Sequence, residues 1–161
     1  MTLGWNGRGL GQDATVQDLV CLVQTYKPSL VFVCEMRQKK ERVENLRYRV
    51  GLKNCLAVNG EGKGGGIALY WSEDITVDLL SFSNRYIDVH VSGGPFDHMW
   101  RATFIYGEPK AADRHSMWTK LRQIKPRSDQ PWLMLGDFNE AVVRRTFFSY
   151  PETGAANARL P

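Results

Sequence analysis

The sequence predicts a mixed α/β fold in which two β-sheets pack face to face beneath outer helices. A strand–helix–strand pattern opens the chain, apolar segments typical of antiparallel strands fill its middle, and a helix followed by a strand comes last. The chain has 161 residues, of which 43% are hydrophobic and 11% aromatic, so it can bury a core. Since no repeat or low-complexity linker divides it, we expect a single domain over residues 1–161.

The first part of the chain contains two predicted helices and an apolar run between them. Asp13 is a candidate cap for a helix over residues 14–26, which Pro28 closes. The continuous apolar run 30–34 has the character of a buried strand, and a charged helix is predicted over residues 38–49. The apolar faces of the two helices consist of Val16, Leu19, Val20 and Val23 in the first and Val43, Leu46 and Val50 in the second.

The middle of the chain is predicted to be β-structure. The predicted strands cover residues 53–58, 66–71, 75–82, 85–92 and 99–106, with Gly93-Gly94-Pro95 as a break before the last of them.

A helix and a strand follow. Asp113 is a candidate cap for a helix over residues 113–124, and the strand 131–135 comes after it. The apolar residues of this helix are Met117, Trp118, Leu121 and Ile124.

The turn after the last predicted strand carries the most informative residues. In Gly136-Asp137-Phe138-Asn139-Glu140, the two polar residues Asp137 and Asn139 are expected on one side and Phe138 on the other, toward the core. A carboxylate beside an amide suits a phosphate held by a hard cation such as Mg²⁺. A turn stabilised by side-chain to backbone hydrogen bonds explains the same residues equally well.

Two further polar residues end strand-like runs. Asn6 follows the short apolar stretch at the N-terminus, and Glu35 follows the buried run 30–34. A carboxylate at the end of a buried strand has to be solvated, paired or bound to metal. Each residue alone has an ordinary interpretation, Asn6 as a turn residue and Glu35 as a solvated strand end. Together with Asp137 they predict one site at a sheet edge.

Five motifs occur along the chain in a recognisable order. They are Trp-Asn-x-Arg-Gly-Leu-Gly, a strand ending in Glu, Gly-Gly-Gly-Ile-Ala-Leu-Tyr-Trp, Phe-Ile-Tyr-Gly-Glu-Pro and Gly-Asp-Phe-Asn-Glu, from about Leu3 to Glu140. This order resembles the endonuclease/exonuclease/phosphatase superfamily, most closely the endonuclease domain of plant non-LTR retrotransposons. The resemblance implies a four-layer α-β-β-α sandwich.

The resemblance also implies an incomplete domain. The family closes with a further Asp-containing segment and a C-terminal Ser-Asp-His, and neither occurs after Glu140. We therefore expect this chain to cover about the first two thirds of such a domain, with residues 141–161 as a divergent, poorly ordered tail.

The roles of individual residues follow from the same resemblance. It implies a Mg²⁺- or Mn²⁺-dependent endonuclease that nicks DNA, in which Glu35, helped by Asn6, binds the metal. Asp137, Asn139 and Tyr106 are then the catalytic residues, with Tyr106 able to donate a hydrogen bond from its strand end to a phosphate oxygen. Candidate contacts to phosphate or nucleic acid are Arg114, Lys63 and Arg8.

Activity itself is left open by the sequence. The histidines His90, His98 and His115 do not occupy the family's catalytic positions, so we expect weak or absent turnover from this chain. One alternative is a catalytically inactive retrotransposon-derived remnant that at most binds nucleic acid. A second is a phosphatase that acts on small phosphoesters.

Two segments imitate phosphate-binding motifs. Residues 60–65 fit the G-x-G-x-x-G spacing, but β-like residues rather than a helix follow, so we predict a flexible hairpin with Lys63 near the nucleic-acid backbone. The basic run 37–42 is predicted to be a solvated helix face, and phosphate steering is the alternative interpretation.

Charge and composition bear on partners and location. The net charge of +4 and the pI near 9.0 are compatible with a polyanionic partner, and the resemblance makes that partner DNA and the location nuclear. No apolar run approaches the ~18 residues that cross a bilayer, and no signal pattern opens the chain. The three cysteines, Cys21, Cys34 and Cys55, are predicted to be reduced thiols of an intracellular protein, without a disulfide-linked partner.

Overall fold

The computed structural model describes residues 1–60, 65–94 and 96–140, which form two four-stranded sheets flanked by helices. The elements are β1 (Thr2–Asn6), α1 (Asp13–Tyr26), β2 (Leu30–Cys34), α2 (Lys40–Val50), β3 (Asn54–Val58), β4 (Ile67–Trp71), β5 (Ile75–Phe82), β6 (Tyr86–Gly93), β7 (Phe96–Tyr106), α3 (Arg114–Ile124) and β8 (Trp132–Asp137). Short 3₁₀ turns, Ala111–Asp113 and Lys125–Arg127, precede and follow α3. Lys63 and the predicted tail 141–161 lie outside the described residues.

Each sheet contains one parallel pair of strands, at its edge. The first sheet has the order β1-β2-β4-β3 and the second β5-β6-β7-β8. β1 is parallel to β2 with Asn6 opposite Cys34, and β7 is parallel to β8 with Tyr106 opposite Asp137. The polar residues of interest therefore lie at the carboxyl ends of the two parallel pairs.

The sheets pack face to face across an apolar core. β2 is buried along its whole length, and Phe32 from it stacks on Phe104 from β7 with ring centroids 5.3 Å apart. The outer face of the first sheet packs against α1 and α2, and that of the second against α3. This arrangement confirms the predicted α-β-β-α layers.

The predicted elements are present, with differences at their ends. Asp13 is the first residue of α1 rather than its cap, and it pairs with Arg49 at 3.1 Å. α1 ends because Lys27 adopts a left-handed φ of 44°, before Pro28 is reached. Asp113 does precede α3, but its side chain makes no capping hydrogen bond.

A buried ion pair joins the second sheet to the end of α3. Asp88 and Arg101 are both 0% exposed and form two hydrogen bonds of 2.9 and 2.8 Å. Arg101 also donates to the carbonyl oxygens of Ile124 and Lys125 at 2.8 and 3.1 Å, and its guanidinium lies 4.5 Å from the ring centroid of Trp132. The pair therefore fixes the carboxyl end of α3 and the start of β8 to β6 and β7.

None of the described helices has the length and apolar character that a membrane span requires.

Candidate functional site

Asn6, Glu35 and Asp137 meet where β1, β2 and β8 end. The amide Nδ2 of Asn6 donates to Glu35 Oε2 at 3.0 Å and approaches Asp137 Oδ2 at 3.4 Å. The Oδ1 atom of Asn6 accepts a hydrogen bond from the backbone N–H of Arg8 at 3.0 Å, which fixes the orientation of the amide. One carboxamide thus gathers two carboxylates that are distant in the sequence.

The backbone turns sharply at Glu35 and directs its carboxylate toward this cluster. Glu35 and Arg37 both have a left-handed φ, 54° and 50°, which costs a non-glycine residue of order 1 kcal/mol. The Arg37 N–H donates to the carbonyl of Gly65 at 2.9 Å and stabilises the turn. The Arg37 guanidinium binds Glu35 Oε1 at 3.0 Å, while Arg8 Nε lies 4.0 Å from the same oxygen.

The turn after β8 combines both interpretations that the sequence allowed. Asp137 Oδ1 accepts the backbone N–H of Asn139 at 3.0 Å, as a turn residue does, while Oδ2 faces Asn6. Asn139 has a left-handed φ of 52°, and its side-chain Nδ2 donates to the carbonyl of Gly107 at 2.8 Å. Phe138 points the other way, as predicted, and stacks on Trp118 of α3 with ring centroids 5.8 Å apart.

Tyr106 is buried at the end of β7, beside this turn. Burial raises the pKa of its phenol above the ordinary value, and the nearby charge of Glu35 raises it further, although Arg85 opposes this. The phenol therefore stays protonated at neutral pH and remains a hydrogen-bond donor. The Gly107 N–H donates to the carbonyl of Asp137 at 2.6 Å, so Tyr106 and Asp137 are held at adjacent positions.

The donor set suits one hard cation. Mg²⁺ is commonly held by one or two carboxylates while water completes its shell, and Glu35 with Asp137 supplies that number. Across the described ranges, no three acidic, histidine or cysteine side chains form a further metal cluster. Asn6 presents N–H groups to the carboxylates and its oxygen to Arg8, so it fits the role of orienting Glu35.

Of the other predicted residues, Arg8 and Arg114 belong to the described part of the chain. Arg8 is on the rim, with 72% of its side chain exposed. Arg114 donates to the carbonyl of Pro109 at 3.5 Å, so it contacts the loop that follows Tyr106. None of the hydrogen bonds found in the described residues connects a histidine to Asn6, Glu35 or Asp137; His90, for example, pairs with Ser128 at 2.8 Å.

Two basic residues near the site, Arg37 and Arg85, were not among the residues predicted for it, although phosphate steering was left open for the run 37–42. Arg37 was assigned to a helix face, but α2 begins only at Lys40, and Arg37 precedes it in contact with Glu35. Arg85 follows the β5–β6 turn; its guanidinium lies 5.3 Å from the ring centroid of Tyr106 and pairs with Glu108 at 2.7 Å. The position of Arg37 two residues after Glu35 was a usable signal, whereas nothing in the sequence marks Arg85.

The three cysteines are expected to differ in reactivity. Burial raises the pKa of Cys34 to about 12, helped by the charges of Asp137 and Glu35, and burial likewise raises that of Cys55 to about 12. Only Cys21 is exposed. Titration with an aromatic disulfide reagent at pH 8 should therefore modify one thiol rapidly and the other two only after denaturant is added. Rapid reaction of all three thiols in the folded protein would contradict the assignment of two of them as buried. Reaction of fewer than three thiols after unfolding would contradict the assignment of all three as reduced.

Comparison with known proteins relates this geometry to others. The sequence profile described as the Endonuclease/Exonuclease/phosphatase family matches residues 3–160. The endonuclease domain of TRAS1, a telomere-specific non-LTR retrotransposon, has a similar structure with a TM-score of 0.61 and 13% identity over 88% of this chain and 61% of that one. No match was found among curated proteins.

Two further solved structures share the fold. D. rerio TDP2 complexed with single strand DNA product has a TM-score of 0.62 and 16% identity, over 86% of this chain and 60% of that one. The human Nocturnin catalytic domain with bound sulfate anion has a TM-score of 0.53 and 14% identity, over 78% and 57%. The chain thus spans about three fifths of the length of these structures.

Proposed function

The chain belongs to the endonuclease/exonuclease/phosphatase family, and from this membership we propose that it binds DNA and hydrolyses a phosphodiester bond with the help of Mg²⁺ or Mn²⁺. The convergence of Glu35 and Asp137 on the amide of Asn6 carries the proposal, because it brings one carboxylate that can hold a cation beside a second that can bind water. The structural similarity to a retrotransposon endonuclease domain supports a nuclear location as part of the proposal.

The described side chains can share the work of hydrolysis. A divalent cation held by Glu35 would neutralise charge on the phosphate and on the leaving oxygen. Asp137 orients the attacking water and accepts its proton as the new P–O bond forms and the bond to the leaving oxygen breaks. Tyr106 and Asn139 donate to phosphate oxygens; the amide of Asn139 has a second N–H beyond the one given to Gly107.

Turnover is proposed to be slow. Since no histidine is hydrogen-bonded to the cluster among the described residues, the leaving oxygen takes its proton from solvent. A positioned general acid commonly contributes about 10²–10⁴-fold to a rate, and the arrangement forgoes that factor.

The first test is nicking of supercoiled plasmid by the purified chain. We expect nicked circles to accumulate with Mg²⁺, to be absent with EDTA, and to form much more slowly with Asp137→Asn. Asparagine keeps an acceptor for the Asn139 N–H, so the turn persists while the charge and basicity are removed. Agarose electrophoresis over time gives the rates.

A matched control removes a carboxylate elsewhere. Asp78 is exposed on β5, so Asp78→Asn should nick like the original chain. If a sample that circular dichroism shows to be folded does not nick in Mg²⁺ or Mn²⁺, the proposal of DNA hydrolysis is wrong, and the inactive remnant and the phosphatase on small phosphoesters remain.

A further inference from the structure

A basic cavity of about 220 Å³ has Tyr106 in its lining. It opens between the turn that joins β5 to β6 and the loop that follows β7. Among the described residues, three cationic side chains line it, those of Arg37, Arg85 and Lys110, together with one carboxylate, Glu108.

The cations of the cavity are not fully neutralised. Glu108 pairs with Arg85 at 2.7 Å, and Arg37 pairs with Glu35 of the neighbouring cluster at 3.0 Å. Lys110 forms no ion pair with any described residue. Asn84 adds a polar side chain to the lining. The surplus of positive charge favours an anionic ligand over an apolar one.

The cavity also shares residues with the proposed hydrolytic site. Tyr106 belongs to the lining, and Arg37 lines the cavity while it holds the carboxylate of Glu35. If one phosphate of a nucleic-acid strand is bound at Glu35 and Asp137, the next phosphate of that strand would lie near this cavity.

We propose that this cavity is a second phosphate subsite, which binds the phosphate next to the scissile one in a polynucleotide strand. The inference rests on the proposed function and extends it, because a ligand with two consecutive phosphodiesters fills both places and a small phosphoester fills only one. Polynucleotides are therefore the preferred class of ligand.

The charges of the lining predict effects of opposite sign. Lys110→Met removes an unpaired cation and should weaken binding of the second phosphate. Glu108→Gln removes the carboxylate that competes for Arg85 and should strengthen it. A purely structural role for these residues would not tighten binding when Glu108 is changed.

The test is an NMR titration with two short ligands in Mg²⁺. The dinucleotide of thymidine has one phosphodiester, and the trinucleotide has two. We expect the trinucleotide to bind about tenfold more tightly, as a charge-assisted contact provides. Lys110→Met should lose most of that preference, and the slope of log K against log salt should fall by about 0.7, the value for one phosphate contact on a single strand.

The matched control is Lys53→Met, which removes an exposed lysine paired with Glu73 before β3. It should leave the preference and the slope unchanged. Equal affinities of the two ligands, equal effects of Lys110→Met and Lys53→Met, or weaker binding by Glu108→Gln would each overturn the subsite. Cutting is scored in a separate measurement, in which the length of the recovered ligand shows whether it was cleaved. Tighter binding of the trinucleotide without cleavage refutes hydrolysis alone. Cleavage without tighter binding of the trinucleotide refutes the subsite alone.

Discussion

Replacement of Asp88 by alanine is expected to lower the free energy of unfolding by about 3–5 kcal/mol, because it leaves a buried guanidinium without its counter-ion. Arg101 is 0% exposed, and Asp88 supplies both of its charged contacts. Thr103 would also lose the acceptor of its hydroxyl, now 2.7 Å away. Urea unfolding followed by circular dichroism measures the change, which is a large part of the ~5–15 kcal/mol that stabilises a typical domain.

Two comparisons make this expectation specific. Glu73 belongs to an exposed pair with Lys53, so Glu73→Ala should change stability by less than about 1 kcal/mol. The double variant Asp88→Leu/Arg101→Met removes both charges together and should recover much of the loss, since apolar side chains of similar volume can replace a buried pair. A small effect of Asp88→Ala would mean that Ile124 and Lys125 satisfy Arg101 without the carboxylate.

This ion pair also shows where sequence reasoning stops. In the run Ile87-Asp88-Val89, alternation places Ile87 and Val89 in the core and Asp88 on the opposite face, which a sequence reader assigns to solvent. That face is instead covered by α3, and only the tertiary packing of a distant helix reveals it. The same limit applies to Arg85, whose partner Glu108 belongs to the loop that follows β7.

The parts that sequence did predict depend on local rules. The apolar run Leu30–Cys34 is the buried strand β2, and Asn6, Glu35 and Asp137 lie at the carboxyl ends of β1, β2 and β8. Strand periodicity and the ends of apolar runs therefore place each residue at a strand end. The expectation of a single sheet edge was wrong, because β8 belongs to the second sheet and the cluster joins the ends of both sheets. The assignment of Asp13 as the cap of α1 was wrong by one position, because Gln12 is the cap residue and Asp13 begins the helix. A shift of one residue is the ordinary uncertainty of a helix boundary.

The second large effect is expected for Glu35→Gln. Glutamine keeps the shape of the side chain and can still accept the N–H of Asn6, but it removes the charge that attracts a cation. We expect the Mg²⁺ concentration for half-maximal nicking to rise at least about tenfold, and the rate at low Mg²⁺ to fall about 10²-fold. Nicking rates measured across a series of Mg²⁺ concentrations give both values.

The Mg²⁺ dependence separates the roles of the two carboxylates. If Asp137 orients the attacking water, Asp137→Asn lowers the nicking rate at saturating Mg²⁺ and changes the Mg²⁺ concentration for half-maximal nicking little. In Glu35→Gln, by contrast, additional Mg²⁺ partly restores the nicking rate. Glu44→Gln, which changes an exposed i,i+4 pair with Lys40 on α2, should alter neither value. An unchanged half-maximal Mg²⁺ concentration in Glu35→Gln would show that Glu35 does not hold the cation. The ion pair with Arg37 would then be the remaining explanation for the left-handed backbone of Glu35 and for its position beside Asn6.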